Sequence, residues 1–328
     1  MILKRKEEKK VELIHLKEID SDEYIFRMTF SPDLNLLKCS MDKIGLINPL
    51  VLWEKEGRVL IVCGYRRVLV AKDLRWELIP AKIYRQEELN ICEGFILNFY
   101  ENLGTRRFNL IEAEMVISGF IERCRFNEKQ IQEQILPLLG FSPGRKVFLA
   151  LQALRNLTED WKEFIIKNEL SLFNAAKIAD FSCLEQRSLY SWLSRLRLGE
   201  NKMRESLEMV EEICKRDRIS VEELFSYPAF QSLFQQGELN INEKTEQFRK
   251  LLKAIRYPEL TRLKEKFQEY KKQLSLPPAI SFLPPEYFEG DKLRVSFDCR
   301  SVEEFQLMVK KLDKISRQVE LRNMFALL

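Results

Sequence analysis

Gly64-Tyr65-Arg66-Arg67 concentrates more potential chemistry than any other stretch of this sequence. It follows the apolar run Val59-Leu60-Ile61-Val62-Cys63, so a glycine that frees the backbone closes a strand and two guanidinium groups open the next helix. Backbone N–H groups at a helix start and planar guanidinium forks both suit phosphate oxygens, which makes Arg66 and Arg67 candidate phosphate ligands. The competing reading is that the two arginines only solvate a helix end. A second basic pair, Arg145-Lys146, follows Pro143-Gly144 and falls in the first turn of an expected helix, where a recognition helix makes its DNA contacts. Here the alternative is a pair of solvated charges on a helical bundle.

Other chemistries lack their residues. His15 is the only histidine, and the seven cysteines (Cys39, Cys63, Cys92, Cys124, Cys183, Cys214 and Cys299) are scattered with no Cys-x-x-Cys pair. A disulfide framework, a Cys/His zinc site and triads built on a histidine base are therefore not expected. With 54 Lys and Arg against 50 Asp and Glu, the net charge is only +4, so any nucleic-acid surface must be local. The basic opening gives no signal-like stretch and nothing later reaches transmembrane length, so the expectation is a cytoplasmic protein, associated with the nucleoid if it binds DNA, and no membrane partner.

Around the Gly64 segment the patterning is α plus β. Val11 to Leu16 alternates as a half-buried strand, and Leu34 to Ile44 has helical spacing up to a Gly45 stop. Leu50 to Trp53 and Val59 to Cys63 flank a Glu56-Gly57 turn as a hairpin. Arg66 to Leu74 reads as a helix and Ile79 to Tyr84 as a short strand. From about Leu89 to Leu224 the apolar residues recur at three and four, which predicts a helical region. Leu260, Leu263, Phe267, Tyr270 and Leu274 form a stripe between Pro258 and Leu276-Pro277-Pro278 that either joins a second copy of the chain or packs on the chain's own helices. Strands at Ile280 to Leu283 and Leu293 to Phe297 and a helix from Val302 to Ile315 predict a small α/β unit at the end. The expected division is a basic tail (1–10), an α/β domain (11–110), a helical domain (111–225), a helical connector (226–278) and the terminal unit (279–328).

Four fragments stand in one register: Gly45-Leu46-Ile47-Asn48-Pro49-Leu50-Val51, Gly64-Tyr65-Arg66-Arg67 with the trailing Ala71, Ile79-Pro80-Ala81, and Glu101-Asn102. In order and spacing they resemble the amino-terminal domain of the ParB/sulfiredoxin-like partition proteins, whose pattern is Gly-x-x-Gln-Pro-Ile, Gly-Glu-Arg-Arg, Val-Pro and Glu-Asn-x-x-Arg. The resemblance implies a mixed α/β domain with a pocket for CTP and Mg2+. It places Asn48, Pro49, Gly64, Tyr65, Arg66 and Arg67 on the nucleotide, and Glu101 and Asn102 on the nucleotide and its metal. Mg2+ takes one or two protein oxygens plus phosphates, which suits such a pair, although a helix-end pair is the alternative. Two positions depart from the pattern. Tyr65 replaces its glutamate and Thr105 its arginine, so binding is expected while a weak CTPase activity is left open. Cys63 precedes Gly64 with no histidine nearby, the wrong order for sulfiredoxin chemistry.

The resemblance continues into the helical region. Asn109 to Glu114 is similar to the family's linker, and residues 127 to 157 fall where its helix-turn-helix lies, with Ser142, Arg145 and Lys146 as DNA contacts and Pro137 inside the expected first helix. Residues 169 to 176 are similar to the family's Gly-His-Ala-Arg segment, with histidine and arginine replaced. The resemblance implies DNA, a ParA-like ATPase and a second copy of the chain as partners. A ParB-like metal-dependent nuclease or nucleotide-using kinase, and an adaptor that has lost its ligand, are the alternative functions.

Overall fold

The computed structural model describes residues 9–235, 239–274 and 276–328. Residues 1–8 of the expected basic tail lie outside that range. The chain divides into two units, one of residues 1–195 with 199–203 and one of residues 196–198 with 204–328. The expected division at residue 110 therefore falls inside the first unit, because the α/β part and the following helices share contacts throughout.

The first unit is built on a five-stranded sheet of order β1-β5-β3-β4-β2. Its strands are β1 (Glu12–His15), β2 (Ile19–Asp20), β3 (Leu50–Lys55), β4 (Arg58–Cys63) and β5 (Leu78–Arg85). β3 and β4 pair antiparallel from Lys55↔Arg58 upward. Their two-residue turn has positive φ at Glu56 (53°) and Gly57 (75°), the twist that matches a tight hairpin. β3 runs parallel to β5, and β1 antiparallel to it. β2, with two residues, is too short to leave a periodic signal and is absent from the sequence reading.

Helices α1 (Asn35–Ile44) and α2 (Tyr65–Asp73) cover one core, in which Met41, Val68 and Ala71 meet Leu50, Leu52, Ile79 and Ala81. A second core is aromatic. Phe26 packs edge-on to Trp53, with ring centroids 5.5 Å apart, and Phe95 and Phe99 of α3 (Ile91–Leu103) pack edge-on to Phe120 of α4 (Leu110–Cys124). The last two helices approach closely because Gly119 has no side chain: a Cβ there would lie 1.9 Å from Phe95 Cζ. Both helices start on asparagine capping boxes, Asn90 with Glu93 and Asn109 with Glu112.

α5 (Glu128–Gln130) continues as one π turn, Ile131–Ile135, and stops there. Pro137 consequently lies in the turn that follows, with Gly140 at φ 84°, rather than inside a helix. α6 (Arg145–Ala153), α7 (Glu159–Lys167), α8 (Leu172–Ala179) and α9 (Cys183–Leu193) complete the helical part of this unit.

α10 (Glu200–Asp217) begins at the division, and the second unit continues through α11 (Val221–Phe225), α12 (Pro228–Gln235), α13 (Ile241–Arg256) and α14 (Pro258–Gln273) to the hairpin β6 (Ile280–Leu283) and β7 (Arg294–Phe297), then α15 (Val302–Ser316) and α16 (Val319–Phe325). The α14 stripe is internal. Phe267 and Leu274 are buried with Ile280, Phe282, Met308, Ile315 and Met324, and Leu260, Leu263 and Tyr270 pack against them. The expectation that this stripe seams two copies is corrected: the terminal strands and helices of the same chain cover it.

Candidate functional site

The end of β4 and the start of α2 form the floor of a cleft of about 270 Å³. Gly64 turns the chain there with φ 100° and ψ 23°, a left-handed conformation that disfavours a side chain. Space excludes one as well, since a Cβ on Gly64 would lie 2.6 Å from Leu50 Cδ2 and 3.0 Å from Arg67 Nε. The missing side chain lets the Arg67 guanidinium pass beneath the turn.

Arg67 donates from Nη1 to the carbonyls of Asn48 (2.8 Å) and Pro49 (3.1 Å) and from Nη2 to Glu101 Oε1 (2.6 Å). One side chain thus fastens the β3 approach, α2 and α3 together. Arg66 donates from Nη2 to the Asp33 carbonyl (2.6 Å), while its Nε is buried with no hydrogen-bond partner. A buried guanidinium donor left unpaired costs about 1–3 kcal/mol, which an anionic oxygen would recover. That observation fits a phosphate ligand.

Asn48, Gly64, Tyr65, Arg66, Arg67, Glu101 and Asn102 all line this cleft, and Pro49 contributes its carbonyl to Arg67. Asn102 is tied into a network: its amide donates to the Asn98 carbonyl (2.9 Å) and Oδ1 (2.7 Å), and its Oδ1 accepts from Arg106 Nε (2.8 Å). Arg106 also reaches Glu112 (2.5 Å) and the Met28 carbonyl (2.8 Å). Glu101 engages Arg67 through one carboxylate oxygen. Among the described residues no cluster of three His, Cys, Asp or Glu could hold a metal ion. Mg2+ would thus need phosphate oxygens to complete its shell, with Glu101 as the side chain best able to approach it.

Arg106, the cation that stands just beyond Thr105 in the sequence as a displaced counterpart of the family arginine, lines the cleft, whereas Arg27 and Thr29 were not read from the sequence. Arg27 and Thr29 line the cleft from the irregular segment before α1, where neither period exists to point inward. Thr105, in the position of the family arginine, bonds back to the carbonyls of Glu101 (3.1 Å) and Asn102 (3.2 Å) at the end of α3. Cys63 is buried as the last residue of β4. Its burial pushes the thiol well above its ordinary pKa, Glu101 adds to the rise and Arg67 opposes it.

Ser142, Arg145 and Lys146 are exposed together at the start of α6. Arg145 Nε lies 3.4 Å from Glu128, and Lys146 Nζ sits 4.7 Å from the Phe173 ring centroid. An ion pair between exposed side chains is weak, so the Arg145 cation remains available to a polyanion.

Residues 3–98 match the family model of the ParB N-terminal domain. The chain carries a ParB N-terminal domain. It is similar to the nucleoid occlusion protein of Halalkalibacterium halodurans, 23% identical over 165 residues that make up 50% of this chain and 55% of that protein. It is also similar to a probable chromosome-partitioning protein ParB of Borreliella burgdorferi, 24% identical over 165 residues, 50% of this chain and 59% of that one. The match thus spans little more than half the length of these relatives. Among solved structures, C-terminally truncated ParB of Caulobacter crescentus complexed with CTP-gamma-S is 20% identical and covers 56% of this chain and 99% of that chain, with a TM-score of 0.27. The same protein complexed to its centromeric parS site is 19% identical, covers 55% and 91%, and has a TM-score of 0.32. Among the described residues, no helix is long and apolar enough to cross a membrane.

Proposed function

We propose that this ParB-like chain is a DNA-associated protein of the partition or nucleoid-occlusion type, switched by a nucleoside triphosphate that binds with Mg2+ in the Gly64 cleft. The observation that carries the reading is the convergence in one cleft of a positive-φ glycine, Arg66 with a buried unpartnered Nε, and the Arg67–Glu101 pair. Arg66 and Arg67 would face the phosphates, Glu101 and Asn102 the metal end, and Asn48, Pro49, Gly64 and Tyr65 the walls. CTP is the nucleotide that the family resemblance implies. Bound Mg2+ would supply charge neutralisation at the phosphates. Turnover is expected to be slow or absent, because Tyr65 and Thr105 supply neither the carboxylate nor the guanidinium of the family pattern.

DNA is assigned to Ser142, Arg145 and Lys146 at the start of α6, in a cytoplasmic, nucleoid-associated setting with a ParA-like ATPase as a candidate partner. The chain acts as a homodimer in this reading. Since the α14 stripe is internal, the surface available in the terminal unit is the exposed face of α15 with Val302, Phe305 and Val309. The test pairs two measurements on the full chain in Mg2+: thermal midpoints with CTP, ATP or GTP, and gel shifts on DNA with and without the same nucleotides. A rise of the midpoint with CTP together with a nucleotide-dependent gel shift supports the proposal. DNA binding indifferent to every nucleotide contradicts the switch, and nucleotide binding without DNA binding contradicts the DNA assignment.

A further inference from the structure

The contacts between α3 and α4 run in opposite order along the two helices and can be followed turn by turn. Phe99 and Phe95 of α3 meet Phe120 of α4, with ring centroids 5.1 and 5.3 Å apart, and Gly119 lets the helices close on each other. One turn further out, Cys92 in the first turn of α3 meets Cys124, the last residue of α4. The Cys124 thiol donates to the Cys92 carbonyl at 3.6 Å, and both residues are half-buried free thiols. Burial pushes the Cys124 thiol well above its ordinary range, the Cys92 thiol beside it adds to the rise, and Arg123 opposes it. The fold thus makes neighbours of two thiols that lie 32 positions apart in the sequence.

A disulfide needs two cysteines on closely approaching backbone with side chains that can face each other. The contact of Cys124 Sγ with the Cys92 carbonyl keeps the residues close enough for a change of rotamer to bring the sulfurs together. In a reducing compartment such a pair rests as a dithiol and closes only under an oxidant. We propose that Cys92 and Cys124 are a redox couple, oxidised by a peroxide to an intramolecular disulfide that staples the start of α3 to the end of α4. Because the Cys124 thiol holds its proton, attack on the oxidant falls to Cys92. An S–O bond forms there as the peroxide O–O bond breaks, giving a sulfenic acid at Cys92, and the Cys92 proton leaves in the first water. The Cys124 sulfur then displaces the hydroxyl: the S–S bond forms, the S–O bond breaks, and the Cys124 proton leaves with the hydroxyl as a second water. Two thiols have given up two electrons and two protons, and one peroxide has become two waters. A thiol reductant reverses the step by exchange. The staple bears on the cleft because α3 carries Asn98, Glu101 and Asn102 into it, while α4 opens the helical part of the same unit. The inference needs no ligand in the cleft and stands apart from the nucleotide reading.

The experiment treats the full chain and its Cys92→Ser and Cys124→Ser variants with hydrogen peroxide, then maps the cysteines by peptide mass spectrometry without reduction. Wild type is expected to yield Cys92 linked to Cys124 with the loss of two hydrogens, reversed by dithiothreitol. Dimedone, which traps sulfenic acids, should label Cys92 in the Cys124→Ser variant and leave Cys124 unlabelled in the Cys92→Ser variant. The oxidised wild type should melt roughly 5 to 10 °C above the reduced protein, the range for closing a loop of this size in a chain of this length. Both variants should lack that rise, and amide exchange over Ile91–Leu103 should slow only in the oxidised wild type. Peroxide that leaves both wild-type thiols reduced, that carries Cys92 to sulfinic acid without the link, or that joins either residue to another cysteine overturns the couple. A link formed with no rise in the midpoint and no slowing of exchange overturns the staple, and dimedone on Cys124 rather than Cys92 overturns the order of the two steps. The wild-type map stands without the variants, so a serine variant that folds poorly leaves the couple open to refutation.

Discussion

At the scale of single residues, the strongest determinant is Gly64, and its physics is local enough to be tested without a ligand. Gly64→Ala must place a Cβ against Leu50 and Arg67 at a positive φ, and is expected to destabilise the fold by about 1–3 kcal/mol, read from chemical denaturation. Arg67→Ala leaves the Asn48 and Pro49 carbonyls and Glu101 without their donor, with an expected cost of about 1–3 kcal/mol in stability and a loss of triphosphate affinity. A stable Arg67→Ala variant would mean that Arg67 does not fasten the cleft. Cys63 supplies a pH prediction. Because burial raises its folded pKa above the ordinary 9.0, the folded state holds a proton that the unfolded chain releases. The associated stability is complete below that value and declines as pH rises beyond it, and a Cys63→Ala variant should lose this decline. The pair Arg66-Arg67 was legible because a glycine after an apolar run marks a strand-to-helix turn. Their division of labour was not, since it depends on contacts with Asp33, Asn48 and Glu101, which are distant in sequence.

The elements that carry these residues were largely readable. The hairpin β3–β4, with its Glu56-Gly57 turn, and helix α1, with its Gly45 stop, follow from local chemistry that tertiary contacts do not override. Sequence reasoning failed where periodicity was absent or ambiguous: the two-residue β2, the segment bearing Arg27, and the α14 stripe, whose spacing is the same whether its cover is a second copy or the chain's own strands. Phe267→Ala is accordingly expected to cost about 3–5 kcal/mol in stability without changing the oligomeric state by light scattering. A shift to monomer at unchanged stability would restore the intermolecular reading of α14. At α6, an Arg145→Ala/Lys146→Ala double variant should lower DNA affinity and reduce its dependence on salt in gel-shift titrations, because each lost phosphate contact removes released counterions. Equal affinity and equal salt dependence would move the DNA surface away from α6.

At the scale of the whole molecule, a net charge of +4 gives the chain no general affinity for nucleic acid, so in the proposed function local cations, a nucleotide and self-association would together supply DNA binding. A homodimer using α15 should dissociate on Phe305→Asp, measured by light scattering across micromolar concentrations, while Met308, buried three residues further along the helix, keeps the fold intact. A variant that remains dimeric would place the contact elsewhere. All of this is organised around occupancy of the cleft beside Gly64. Equilibrium dialysis of the full chain against labelled CTP in Mg2+, on the wild type and on Arg66→Ala, tests that occupancy most directly. The expected result is saturable binding of one CTP per chain in the wild type, weakened at least about tenfold in Arg66→Ala by the loss of a charge-assisted contact. Absence of saturable binding in the wild type, or equal binding in the two proteins, would contradict the assignment.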